Sequence, residues 1–340
     1  MQCFDPFVVS NIRNPLIQLN YKASKKRRFA YWIKFKDIRK DLLPEVLERI
    51  KNKDMLLIPC GRCFSCRSKK AMSWTIRNYF ESEKYDQKCF ITATYNEFKC
   101  PRFLVKKDLQ LLIKQIRRYI DYHISSDMKI KYFACGEYGG QFGRPHFHIL
   151  LYGFCFPKDH ILKDENGKKE YISLKLTELW NRGIISFSDC VDASHIKYTC
   201  GYVQKKLFHI YSDAEKKLLQ DWIELHPDDH FQDSFITCSK GIGLEFFDKN
   251  KYNIYNDNEF LFHPPFDSSP VKHVKPLPYF DYRMQNVDYN LYAHSKFLRS
   301  EYNENYYKKF LEDDRSISEI MRAEEDYALK NYKLYKYIRR

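Results

Sequence analysis

Residues 143–153 read GRPHFHILLYG, and no other stretch constrains the fold as strongly. Side chains alternate across a strand with a period of two, so His146 and His148 share one face. Phe147, Ile149 and Leu151 share the other, which reads as the core face. An imidazole at the margin of a core needs a partner, either a hydrogen bond or a metal. Two readings follow. One is a pair of half-exposed histidines on an open sheet. The other is a divalent-metal site with the sheet as its rigid platform.

The neighbouring segments supply the rest of that sheet. CFITATY (89–95) has the alternation and β-branching of a strand, and KIKYFACGEYG (129–139) reads as a strand ending in a Gly-rich turn at 139–143. GIISFSDCV (183–191) is a further strand. VKKDLQLLIKQIRRYIDYHI (105–124) is an amphipathic helix whose stripe is Leu109, Leu112, Ile116 and Ile120. Helices are also expected at 68–84, around 174–181 and over SHIKYTCGYVQKKLF (194–208), with a polar loop at 157–170. This order predicts an α+β fold: an antiparallel sheet with helices packed on one face and the active site on the other. The expected division is a basic N-terminal segment (1–59), a core with a Cys-rich start (60–245) and a polar, partly helical extension (246–340). The end of that extension, 313–340, reads as a solvated helix.

Charge narrows the partners. The chain of 340 residues carries a net charge of +14, with 27 Tyr and 26 Phe. Excess positive charge suits a polyanion, and aromatic rings offer stacking faces for unpaired bases. An AT-rich genome would by itself also enrich Lys, Tyr and Phe. The start, MQCFDPFVVSN, lacks the basic and apolar regions of a secretory signal, and no apolar run approaches about 18 residues. A protein that acts where it is made, off the membrane, is expected. Eleven cysteines without a signal argue against a disulfide framework. Cys60, Cys63 and Cys66 stand apart, because their C-x2-C-x2-C spacing can converge thiolates on one point. They hold a structural zinc or remain free thiols.

Tyr198, Tyr202 and Lys205 lie four and three residues apart, on one face of the expected helix. Alone they could be an aromatic core stripe. With the histidine strand upstream they read as chemistry. FITATY, then GRPHFHILLYG, then YTCGYVQKK resemble the three ordered motifs of the HUH endonucleases, the rolling-circle replication initiators. More narrowly, PCGRCFSCR, GEYG and RPHFHILLYG resemble the replication initiator of the gokushovirus branch of the microviruses. The resemblance covers about 60–245 and the CFDP start. CSKGIG (238–243) resembles a late family segment but lacks the proline expected before Gly241.

The resemblance implies a nickase that cuts a phage origin, forms a 5′-phosphotyrosine link, leaves a 3′-hydroxyl primer and later rejoins the displaced strand. A cation held by His146 and His148 can polarise a phosphate oxygen, and a two-imidazole site with open positions suits Mg²⁺ or Mn²⁺ better than structural Zn²⁺. Glu137 can reach the same face if the strands pair around 139–145; otherwise it is a turn-edge carboxylate. A phenol titrates near 10, so Lys205 suits stabilising a phenolate at Tyr202, the first choice for the initial cut, with Tyr198 second. Tetrahedral zinc needs a fourth ligand, for which Cys3 is the candidate and Cys89 the alternative. Arg62, Arg67, Lys69, Lys70 and Arg144 are the expected DNA contacts. No Walker A loop is present, so unwinding and synthesis fall to host helicase and polymerase. The expected substrates are single-stranded DNA and the viral replicative form, in the host bacterial cytoplasm. Two rivals stay open: a zinc-containing DNA-binding protein without catalysis, and a plasmid relaxase or transposase of the same superfamily.

Overall fold

The structure, a computed structural model, describes residues 3–10, 32–52, 54–139, 143–165, 168–205, 224, 231–263 and 271–338. Along the chain come β1 (Phe7–Ser10), β2 (Trp32–Lys34), α1 (Leu43–Lys51), β3 (Met55–Ile58) and α2 (Phe64–Ser82). β4 (Lys88–Thr94), α3 (Lys106–His123), β5 (Lys131–Tyr138), β6 (Pro145–Tyr152), β7 (His160–Glu165) and β8 (Lys168–Ile172) follow. Then come α4 (Leu174–Trp180), β9 (Ile185–Ser188), α5 (Ala193–Lys205), β10 (Phe235–Cys238) and α6 (Leu244–Asn256). β11 (Phe260–Phe262), β12 (Lys272–Val274), α7 (Pro278–Val287), α8 (Tyr289–Glu312) and α9 (Ile317–Ile338) complete the described chain.

Two compact units result. The larger comprises Ala71–Ile254 and Glu259–Phe280. Its sheet has seven strands in the order β10-β5-β6-β4-β9-β8-β7, and every pairing is antiparallel. The α+β class with an antiparallel sheet is thus borne out. On one face, Ile91, Phe147, Ile149, Leu151 and Phe187 meet Leu109, Leu112, Ile116 and Ile120 of α3 and Leu176 and Trp180 of α4, all buried. Burying each such side chain is worth roughly 1.5–3 kcal/mol, which fixes the register of β6 against slippage. The loop from α4 into β9 presses on β4: a Cβ at Gly183 would lie 2.3 Å from Asn96 N and Thr94 O, so only glycine fits.

The opposite face carries the histidines and is not bare. Phe133, Leu150 and Tyr152 pack there with Ala71 of α2 and with Ile196 and Cys200 of α5. Helices therefore cover both faces, and α5 lies on the histidine side because its apolar pair Ile196/Cys200 needs the same sheet. Residues 157–170, expected as a loop, include the β7–β8 hairpin. It sits at the sheet edge, where charged, exposed side chains hide the strand pattern. The CSKGIG segment turns without a proline. Gly241 and Gly243 adopt φ of +74° and +71°, and Gly243 N donates to buried Glu81 at 2.7 Å.

The smaller unit comprises Met1–Lys70, Tyr255–Asn258 and Asp281–Arg340. β2, β1 and β3 form an antiparallel sheet in that order. Val8, Phe35 and Leu43 pack with Tyr307, Phe310, Ile317, Ile320 and Met321. The chain's two ends thus share a core, so the final segment is a helix but not a solvated one: Ile317, Ile320 and Met321 give α9 an apolar face. The cysteine cluster, read from sequence as the start of the nuclease core, falls in this unit because it packs with Ala328 and Leu329 of α9. The basic run at 24–29 lies outside the described residues.

Candidate active site and cysteine cluster

The β5–β6 register sets Glu137 directly opposite His146, and Cys135 opposite His148. Cross-strand partners share a face, so the carboxylate and both imidazoles converge. Glu137 Oε1 lies 2.8 Å from His146 Nε2 and 3.1 Å from His148 Nε2. The tautomers follow from the far side of each ring. His146 Nδ1 lies 3.1 Å from the Arg144 carbonyl, which can only accept, so Nδ1 carries the proton. In a neutral ring Nε2 is then a lone pair, and it faces a carboxylate oxygen. Two acceptors at that distance need a proton or a cation between them. His148 Nδ1 meets Thr92 Oγ1 at 3.1 Å, which completes the outer support of the second ring. The donor set of one carboxylate and two imidazoles, each oriented from behind, fits a divalent cation, and the three ligand atoms lie within 4.8 Å of one another. Glu137 and His148 are buried, so a resident charge there needs compensation.

Helix α5 brings the tyrosines to this cluster. Asp192 is its N-cap: Oδ1 accepts from His195 N at 2.8 Å and from Ser194 Oγ at 2.6 Å. Partial burial opposes ionisation of Asp192, but the hydrogen bonds from His195 and Ser194 win and hold its carboxyl below the usual range. Buried Ile196 and Cys200 fix the rotation of the helix. Tyr198 is then half-exposed, and its ring centre lies 5.1 Å from that of His148, edge to face. Phe90 braces the group, 5.4 Å from His148, 4.6 Å from His195 and 6.4 Å from Tyr198. Tyr202 and Lys205 belong to α5, but their side chains lie outside the described residues. Thr92, Phe90 and His195 were not among the sequence-derived candidates. The alternation Phe90, Thr92, Thr94 was the available signal, but its register against the histidine strand was not.

The sulfur atoms form a second cluster. Cys3 Sγ lies 3.5 Å from Cys60 Sγ and 3.8 Å from Cys63 Sγ, and all four of Cys3, Cys60, Cys63 and Cys66 offer ligand atoms within 4.8 Å of one another. A tetrahedral Zn²⁺ with bonds of about 2.3 Å has ligand edges of about 3.8 Å, so the spacing fits. Gly61, at φ +71°, lets the chain turn so that Cys63 N and Arg62 N donate to Cys60 Sγ at 3.2 and 3.4 Å. The hydrogen bond from Cys3 draws the Cys63 thiol down to about 7. The alternative fourth ligand, Cys89, is fully buried in β4 with its Sγ toward the Phe154 carbonyl, and does not join the cluster.

The basic candidates divide. Arg62, Lys69, Lys70 and Arg144 are exposed. Arg67 is only 4% exposed, and the expectation that it meets DNA is corrected. It follows Cys63 by four residues and precedes Ala71 by four, so helical spacing turns it inward. Burial lowers its proton affinity, and the charges of Cys63 and Glu325 oppose that shift.

Residues 88–207 match the family model of the replication-associated protein ORF2. Replication-associated protein VP4 of Bdellovibrio phage phiMH2K is 30% identical over 200 residues, covering 54% of this chain and 62% of that protein. Replication-associated protein ORF2 of Spiroplasma virus 4 is 28% identical over 285 residues, covering 80% of this chain and 79% of that protein. The chain is a relative of the phage replication-associated proteins. The resemblance read from its motifs is thereby borne out. A third relative, Replication-associated protein ORF4 of Chlamydia phage 1, is 29% identical over 196 residues, 56% of this chain and 46% of its own length. The chain thus spans less than two thirds of two of these relatives. The family match runs from β4 to the end of α5 and so contains both the Glu137/His146/His148 cluster and the tyrosine helix. The cysteine cluster lies outside it. No solved structure matches the chain. Among the described residues no helix is long and apolar enough to cross a membrane.

Proposed function

We propose that this chain initiates rolling-circle replication by nicking single-stranded DNA at a phage origin through tyrosine transesterification. The observation that carries the reading is the convergence of Glu137, His146 and His148 on one point, with the ring of Tyr198 beside His148. A DNA-binding protein without catalysis has no use for a carboxylate held between two imidazoles.

Phosphodiesters resist attack because their charge repels nucleophiles. Glu137, His146 and His148 would hold Mg²⁺ or Mn²⁺, which supplies charge neutralisation at a non-bridging phosphate oxygen. The residues of the chain do the rest. Thr92 and the Arg144 carbonyl keep the two rings aimed. A tyrosine oxygen attacks phosphorus, the bond to O3′ breaks, and the 3′-hydroxyl leaves as a primer for a host polymerase. The 5′-phosphotyrosine conserves the bond energy, which a water-using nuclease loses. Tyr202, one turn from Lys205, makes the first cut, with the ammonium stabilising its phenolate. Tyr198 makes the second, which releases and closes the displaced strand. Arg62, Lys69 and Lys70 meet phosphates, and a host helicase opens the replicative form in the bacterial cytoplasm. Cys3, Cys60, Cys63 and Cys66 hold a structural Zn²⁺ that ties the N-terminal strand region to α2 and α9.

The test uses the full chain with single-stranded origin DNA and Mn²⁺. A nicked product and a protein–DNA adduct that survives denaturing electrophoresis are expected, and both should vanish with EDTA or in His146→Ala. Cutting at the parent rate in His146→Ala, or in EDTA, would contradict the reading.

A further inference from the structure

Phe98 is 97% exposed, the most exposed large hydrophobic side chain among the described residues. A loose loop does not account for this. Lys99 N donates to Asn96 Oδ1 at 2.8 Å, and Asn96 N donates to the Arg182 carbonyl at 2.9 Å. Lys99 Nζ donates to the Asn181 carbonyl at 2.8 Å, at the residue that ends α4 in the left-handed region. The turn directly after β4 is therefore tied down on both sides, and Phe98 is held in water by a built structure.

An open groove of about 600 Å³ runs beside this turn, lined among others by Glu97, Pro101, Arg102, Arg144 and Pro145. That volume lies within the roughly 300–1,000 Å³ of ligand sites. Arg102 and Arg144 are exposed, and Glu97 answers Arg144 only at 3.9 Å. The groove opens next to the metal cluster, because the Arg144 carbonyl faces His146 Nδ1.

We propose that Phe98 and this groove form a base-stacking subsite for single-stranded DNA flanking the scissile phosphate. This inference rests on the nuclease reading of the Glu137/His146/His148 cluster. A lone aromatic ring between charged neighbours suits an unpaired base, whose π-face stacks while its phosphates meet guanidinium groups. A protein-binding hot spot would sit within a wider apolar patch. Here the ring is flanked by Glu97 and Lys99. Duplex DNA offers no free base face, so Phe98 selects the single strand.

Equilibrium binding of a fluorescein-labelled oligonucleotide to the full chain, in EDTA to prevent cutting, reads this directly. Phe98→Ala should weaken single-strand binding about five- to a hundredfold, Phe98→Trp should stay near the parent, and duplex binding should not change. With 5-iodouracil in the oligonucleotide, ultraviolet crosslinking of the parent should map to the peptide holding Phe98. Unchanged single-strand affinity in Phe98→Ala, equal loss for single strand and duplex, or crosslinks only elsewhere would overturn the subsite while leaving the nuclease reading intact. A shift in sedimentation without a change in DNA affinity would make the ring a contact between copies of the chain and would also overturn it. A parent that binds no single strand would sink the nuclease reading together with the subsite.

Discussion

One oxygen of Glu137 is shared by two imidazoles, and each imidazole is held from behind by a different group: a carbonyl for His146, a threonine hydroxyl for His148. The carbonyl cannot be mutated, but the hydroxyl can. Thr92→Val keeps the shape of β4 and removes the support of His148 Nδ1. It should weaken Mn²⁺ binding about tenfold or more, read by titration of the metal, with little change in thermal stability. An unchanged affinity would mean that sheet packing alone orients the ring. The histidine pair was legible because alternation is local. Glu137 was legible only conditionally, since its reach depended on a strand pairing that the Gly-rich turn suggested. Thr92 was not, because the β4–β6 register is a long-range fact. Arg67 was misread for a related reason: a basic residue in a basic run looks solvated until its helix is known to pack its Cys63 face.

At the scale of elements, α5 is positioned by its cap and by its apolar pair. Asp192→Ala should destabilise the protein by about 0.5–2 kcal/mol, visible as a lower melting temperature. The sign with pH follows from the depressed carboxyl of Asp192. Its contribution is present above the ordinary carboxylate range and is lost as pH falls through the lower folded value. The variant should therefore differ most from the parent at neutral pH and converge with it in strong acid. A constant difference across that range would assign the role to something other than the charged cap. The helix itself was legible from its periodicity, as were α3 and the strands β4, β5, β6 and β9. The β7–β8 hairpin was not, because an edge strand with charged, exposed side chains lacks the alternation that marks a buried one.

For the whole molecule, the division into two units was the least legible feature. Cys3 joins Cys60, Cys63 and Cys66 across more than fifty residues, and the same cluster packs against α9 near the other end of the chain. Sequence spacing reveals the three close cysteines but not these distant partners. If the sulfurs hold zinc, binding free energy is folding free energy for the smaller unit. Cys60→Ser should then lower the zinc content of purified protein and its thermal stability together, whereas Cys89→Ser should leave zinc content unchanged. Purified parent protein without zinc, by elemental analysis, would end that assignment and leave the catalytic one standing.

The central claim is that a tyrosine of α5 becomes covalently joined to DNA beside the Glu137/His146/His148 cluster. Trapping the adduct with Mn²⁺, digesting it and locating the modified peptide by mass spectrometry tests this most directly. The account predicts a phosphonucleotide on Tyr202, or on Tyr198 after the second transfer, and no adduct when both are changed to Phe. An adduct on any other residue, or cutting that persists in the double variant without an adduct, would contradict it.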